Sequence, residues 1–114
     1  MTYENILLET TGGVATLTLN RPSGLNSLNR GLIDDVRAAV RALAKDDSVR
    51  ALIVTGAGRG FCAGADLSNA GFGDGVARSV GEGISHSMEI GYNPLVRDLA
   101  GFPKPVVTAV YGVA

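Results

Sequence analysis

Residues 51–67, ALIVTGAGRGFCAGADL, concentrate the chemistry available to this chain, and almost none of it lies in side chains. Gly56, Gly58, Gly60 and Gly64 open backbone conformations closed to other residues and let a ligand come very near. Ala63 and Ala65 carry no functional group, so the working parts are main-chain N–H and C=O groups at the start of a short helix expected to follow. Groups of that kind suit an oxyanion or a planar ring. Asp66 reads either as the N-cap of that short helix or as a solvated acid, not as a catalytic group.

Elsewhere reactive side chains are sparse. Cys62 is the single cysteine and His86 the single histidine, far apart in sequence, which argues against a thiol nucleophile with an imidazole base and against a metal framework. Cys62 therefore reads as a small packing residue, and its solitude rules out an intrachain disulfide and suits a reducing compartment. Arg59, alone in a glycine turn, reads as a solvated charge or an ion-pair partner in preference to a phosphate ligand. Nucleotide binding fails on spacing: Phe61 stands where GxGxxG needs its last glycine, and no GxxxxGK[ST] occurs.

The elements that must position this loop are legible from periodicity. Residues 6–9 and 14–19 read as strands, and Gly12-Gly13 between them supplies the positive-φ pair of a two-residue hairpin. After the break at residues 20–24, Leu32, Val36, Val40 and Leu43 recur at helical spacing, giving an amphipathic helix over about residues 29–45. Asn29 is its expected N-cap, with Asp34 and Asp35 early and Lys45 late, where the helix dipole favours acids and bases respectively. Residues 51–54 form a buried-type strand. Glycine at 71, 73, 75, 81 and 83 predicts a mobile loop at about residues 70–83. Helix resumes near Ile84, with Pro94 placed to kink or divide it, and residues 104–110 read as a further strand.

A length of 114 residues allows one domain at most, and 46% hydrophobic with 18% charged residues is an ordinary soluble composition. The net charge of −1 gives no bulk attraction for nucleic acid or acidic membranes. No apolar run approaches the ~20 residues of a membrane-spanning helix, and a cytoplasmic location is the default expectation. A halt just past a buried-type strand leaves an unpaired edge, which reads as the N-terminal part of a longer chain.

GRGFCAGADL resembles the signature loop of the enoyl-CoA hydratase/isomerase, or crotonase, family. Three further segments agree in order and spacing: TLTLNRPSGLNSL at 16–28, DSVRALIVTG at 47–56 and KPVVTAVYGVA at 104–114. Within the family, residues 92–114 most resemble the branch that isomerises ring-epoxidised phenylacetyl-CoA. The resemblance implies an α/β fold, the crotonase-like ββα spiral, of which residues 1–114 would be an incomplete N-terminal portion. It implies an acyl-CoA substrate whose thioester carbonyl is polarised by two backbone N–H groups, the first matching Ala65, so that an enolate is stabilised. Ala63, through its carbonyl, matches the position that recognises the adenine amino group. Gly64, Asp66 and Leu67 complete the loop around adenine and pantetheine, and Ser23, Gly24 and Leu25 border the pantetheine arm. Where some relatives place a lysine after the proline of that turn, Ser23 and Gly24 stand here, so a direct charge on the CoA phosphates is absent from it.

By the same resemblance the second donor and the acid/base carboxylates follow residue 114, so the 114-residue piece alone is expected to be inactive. No resident cofactor or metal is implied, coenzyme A entering as part of the substrate. The full-length protein is expected to be a homotrimer or homohexamer. Phe72, Met88 and Tyr92 either wall an acyl pocket or pack in the core, and His86 either lies on the surface or lines that pocket. Two functional classes stay open: a hydratase or isomerase working through an enolate, and a non-catalytic CoA-binding or assembly module of the same fold.

Overall fold

The computed structural model describes residues 3–65, 79–112 and 114. Strands β1 (Ile6–Thr11) and β2 (Val14–Leu19) form the expected antiparallel hairpin. Gly12 and Gly13, at φ 59° and 84°, make its turn, in the left-handed region that the tight hairpin requires. Helix α1 (Arg30–Ala44) follows, and β3 (Ala51–Gly56) then pairs parallel to β2, with Val14 opposite Ala51 and Leu19 opposite Gly56. Parallel neighbours need a crossover, and α1 supplies it. The short β4 (Val106–Thr108) adds a second parallel pair, completing a mixed sheet in the order β1-β2-β3-β4.

One face of this sheet is dry. Ala15, Leu17 and Leu19 of β2 alternate with more exposed neighbours, as do Leu52 and Val54 of β3, and all five point into the core. Leu32, Ile33, Val36, Ala39, Val40 and Leu43 cover that face from α1. Asn29 caps α1 as its sequence position implies, its Oδ1 accepting from Leu32 N–H at 2.9 Å. The acids are placed differently from expectation: α1 opens on Arg30, and no acid lies in its first turn. Asp35 instead accepts from the Asn5 backbone N–H and side-chain amide at 2.9 and 3.1 Å, tying the helix to the approach to β1. Lys104 closes the other end, donating to the Leu43 and Asp46 carbonyls at 2.8 and 2.6 Å, where unsatisfied helix carbonyls favour a cation.

Two further departures concern the second helical region. Helix α2 (Val80–Ser87) begins four residues before the expected Ile84, because the Ser79 side chain accepts from Glu82 N–H at 3.1 Å and starts it despite Gly81 and Gly83. The mobile loop expected at about 70–83 falls outside the described residues as far as residue 78, and residues 80–83 are helical. Pro94 neither ends nor divides the helix. A π turn (Met88–Tyr92) precedes α3 (Asn93–Ala100), with Asn93 N–H reaching back five residues to the Met88 carbonyl. Widening one turn before the proline absorbs the ring and the missing N–H. The expected strand at 104–110 is assigned over only three residues, although Leu52 N–H donates to Pro105 and Ala109 N–H to Val54 on either side of it. Among the described residues no helix is long and apolar enough to cross a membrane.

Candidate active site in the glycine loop after β3

Beyond Gly56 the chain turns through residues 57–65 at the carboxyl end of β3, and among the described residues the hydrogen bonds there join main-chain groups or a side chain to main chain. Gly58 and Gly64 sit at φ 85° and 95°. A Cβ at Gly58 would stand 2.9 Å from Pro22 Cβ, so glycine is needed there for close approach as well as for conformation. Opposite lies the turn at Pro22–Gly24, followed by Leu25 and Asn26, both left-handed at φ 53° and 55°.

These two segments are laced together. Ala63 N–H donates to the Leu25 carbonyl at 3.0 Å, Leu28 N–H donates to the Gly64 carbonyl at 2.6 Å, and Leu28 and Ala65 form an isolated parallel bridge. Gly64 C=O and Ala65 N–H belong to one trans peptide and point in opposite directions, so the bond from Leu28 N–H to that carbonyl turns the N–H of Ala65 away from Leu28. Among the described residues no carbonyl takes up that N–H, and Ala65 is exposed. The Ala63 amide, by contrast, is engaged internally and is unavailable to a ligand, whereas its carbonyl has no partner among the described residues. Of the residues singled out from sequence, Leu25, Ala63, Gly64 and Ala65 are therefore brought side by side. Ser23 is exposed on the adjoining turn and Gly24 is half-buried there. Asp66, Leu67, Phe72 and the short helix expected after Ala65 lie outside the described residues.

Beneath the loop, at the carboxyl ends of β2, β3 and β4, is a cavity of about 310 Å³ lined by apolar groups, among them Leu28, Phe61, Cys62, Leu95 and Leu99. Cys62 is half-buried and packs against the core, in line with a packing role. Tyr92 also packs on the core, while Met88 is exposed and His86 is half-buried in the last turn of α2.

The enoyl-CoA hydratase/isomerase family profile matches residues 9–114. The chain belongs to that family. In sequence it is 48% identical over 112 residues to the 1,2-epoxyphenylacetyl-CoA isomerase of Escherichia coli, a match covering 97% of this chain and 41% of that protein. In structure it superposes on an enoyl-CoA hydratase from Mycobacterium marinum with a TM-score of 0.77 at 34% identity, covering 94% of this chain and 48% of that one. An enoyl-CoA hydratase from Bacillus anthracis gives a TM-score of 0.81 at 29% identity, covering 96% and 40%. The fold is thus the α/β arrangement of enoyl-CoA hydratases, and the chain spans less than half the length of these relatives.

Within this family member, two residues that matter to the loop escaped the sequence reading. Asn26 is fully buried, its Oδ1 accepting from Arg21 N–H at 2.7 Å and its Nδ2 facing the carbonyls of Ala57, Gly60 and Phe61. Tyr111 Oη donates to the Gly56 carbonyl and lies 2.8 Å from that of Gly58. Phe61 N–H donates to the Tyr111 carbonyl at 3.2 Å, and Gly60 bridges Gly112. For Asn26 a signal existed in its tolerance of left-handed backbone after a proline turn.

Proposed function

We propose that a full-length protein carrying this chain is an acyl-CoA hydratase or isomerase, and that the Ala65 amide is the first of two donors to the thioester oxygen. The observation that carries the reading is the bond from Leu28 N–H to the Gly64 carbonyl, which fixes the peptide whose other end is the Ala65 N–H and turns that N–H away from Leu28. A donor held in advance where negative charge develops needs no reorganisation during reaction and contributes about 3–4 kcal/mol in a dry site. Loss of a Cα proton from the bound thioester leaves an enolate whose oxygen this amide receives. The Ala63 carbonyl, Gly64, Asp66 and Leu67, with Ser23, Gly24 and Leu25, would hold adenine and pantetheine, coenzyme A being part of the substrate and no resident cofactor or metal being required. The adjoining apolar cavity suits a hydrocarbon or aromatic acyl group.

Similarity to the Escherichia coli isomerase favours a ring-1,2-epoxyphenylacetyl thioester, and with it phenylacetate catabolism. The second donor and the acid/base carboxylates belong to later residues on this reading, so the 114 residues alone are expected to be inactive. A cytoplasmic homotrimer or homohexamer completes the proposal. A non-catalytic CoA-binding module would show the same loop and lack those carboxylates.

Turnover of crotonyl-CoA, a cis-3-enoyl-CoA and the epoxyphenylacetyl thioester by the full-length protein tests the reading. Ala65→Pro removes the N–H and is expected to lower kcat by about 100- to 1,000-fold. Coenzyme A binding without turnover of any of the three would establish the binding module instead.

A further inference from the structure

Asn26 has no exposed surface, yet it lies between the two segments that form the candidate site. Its Nδ2 is 2.9 Å from the Ala57 carbonyl, 3.0 Å from that of Gly60 and 3.1 Å from that of Phe61. A carboxamide has two N–H hydrogens, so three acceptors share two protons, and the oxygen is engaged by Arg21 N–H. Such saturation of a buried amide, reaching 31 to 35 residues along the chain, goes beyond what the turn at Pro22–Gly24 needs for itself. A turn is satisfied locally.

We infer that Asn26 is a positioning residue that sets where the Ala65 amide stands relative to a bound thioester; this rests on the oxyanion reading given above. The path is short. Asn26 fixes the Phe61 carbonyl, and the chain then runs four residues to Ala65 while Leu25 holds Ala63 and Leu28 holds Gly64. Asn26 sits in the same left-handed turn as Leu25, so one side chain places both the loop and the strip that laces it. Without the carboxamide, the carbonyls of Ala57, Gly60 and Phe61 would face one another with no donor between them, and the loop would open to hydrate them. Serine is too short to reach all three, and aspartate would set a further oxygen against them.

Asn26→Ser and Asn26→Asp, made in the full-length protein, test the inference with an acyl-CoA bearing an isotope-labelled thioester carbonyl. At a temperature where circular dichroism shows both variants folded, kcat is expected to fall by about 10- to 100-fold, the loss that misplacement of a catalytic group by about 1 Å can produce. KM should change less than kcat, and the labelled C=O stretch should return toward its unbound frequency. Amide exchange across residues 57–65 should quicken in the variants, a readout independent of turnover. Wild-type kcat and a C=O stretch displaced as far as in the wild-type complex, in folded variants, would overturn the positioning role and leave the oxyanion reading standing. A wild-type protein that binds the thioester with no shift of that stretch would remove the oxyanion reading itself, and this inference with it. Variants that cannot be folded even with acyl-CoA present would assign Asn26 to folding alone and likewise overturn it.

Discussion

Gly56, the last residue of β3, has no room for a methyl group. A Cβ built there would stand 2.4 Å from the Phe61 carbonyl oxygen, 2.8 Å from Asn26 Nδ2 and 3.0 Å from the Gly60 carbonyl oxygen. Ordinary contact begins at 3.4 Å, so in Gly56→Ala the Phe61 carbonyl must retreat by about 1 Å, and two of the three nearest atoms are main chain. That retreat stretches the Asn26 contact to Phe61, now 3.1 Å, beyond hydrogen-bonding range. Overpacking costs about 1–3 kcal/mol. Two weakened hydrogen bonds add about 1 kcal/mol each. Lower entropy of the unfolded chain returns about 0.5–1 kcal/mol. The net expectation is a destabilisation of about 2–4 kcal/mol, read in the full-length protein as a lower urea midpoint at unchanged slope. Gly64→Ala is the built-in comparison. With φ at 95° and nothing within 4 Å of its Cβ, it carries only the conformational penalty of about 1–2 kcal/mol. A Gly56→Ala protein within about 0.5 kcal/mol of wild type would refute the view that the end of β3 and the glycine loop are in rigid contact.

Two further outcomes follow from single contacts. Gly81 lies in α2 with nothing within 4 Å of a built Cβ and no positive φ, so Gly81→Ala should raise stability by about 1 kcal/mol, measured as a higher urea midpoint. Hydrogen bonds from the Ser48 hydroxyl and backbone N–H hold the Asp46 carboxyl below its ordinary value of 3.8. Because the folded value is the lower one, this contribution is complete above pH 3.8 and fades as pH falls through the folded value, so the deficit of Ser48→Ala should shrink in acid titration of stability.

Local chemistry announced much of this fold. Gly12-Gly13 could hardly serve anything but a hairpin, and Asn29 followed by apolar residues at helical spacing marked α1 within a residue of its start. The part given to Ala65 came from the resemblance of its loop and not from periodicity or composition. Legibility failed where a residue's partner is distant. Asp35 looked like a dipole-favoured acid, but Asn5, thirty positions earlier, claims it. Asn26 stood in the 16–28 segment with no role of its own until residues 57–61 came beside it. Ser79 was hidden by the glycines after it, whose low helix propensity outweighed, on paper, a cap that in the fold suffices to begin α2. Which main-chain groups of the loop are already engaged was equally hidden: the Ala63 amide is taken up by the carbonyl of Leu25, a residue in left-handed conformation on the opposite segment.

The wide turn at Met88–Tyr92 also fixes an angular phase between the halves of the long helix. Each α-helical residue advances the side-chain direction by about 100°, so one residue inserted between this turn and Leu95 would rotate everything after it by that amount. Leu95 and Leu99 would swing off the core, and Asp98 would leave Arg37, which it now meets at 2.8 Å. Length between the turn and Leu95 is therefore not a free variable: one residue added there is a change of face, and the packing of α3 against α1 depends on the count.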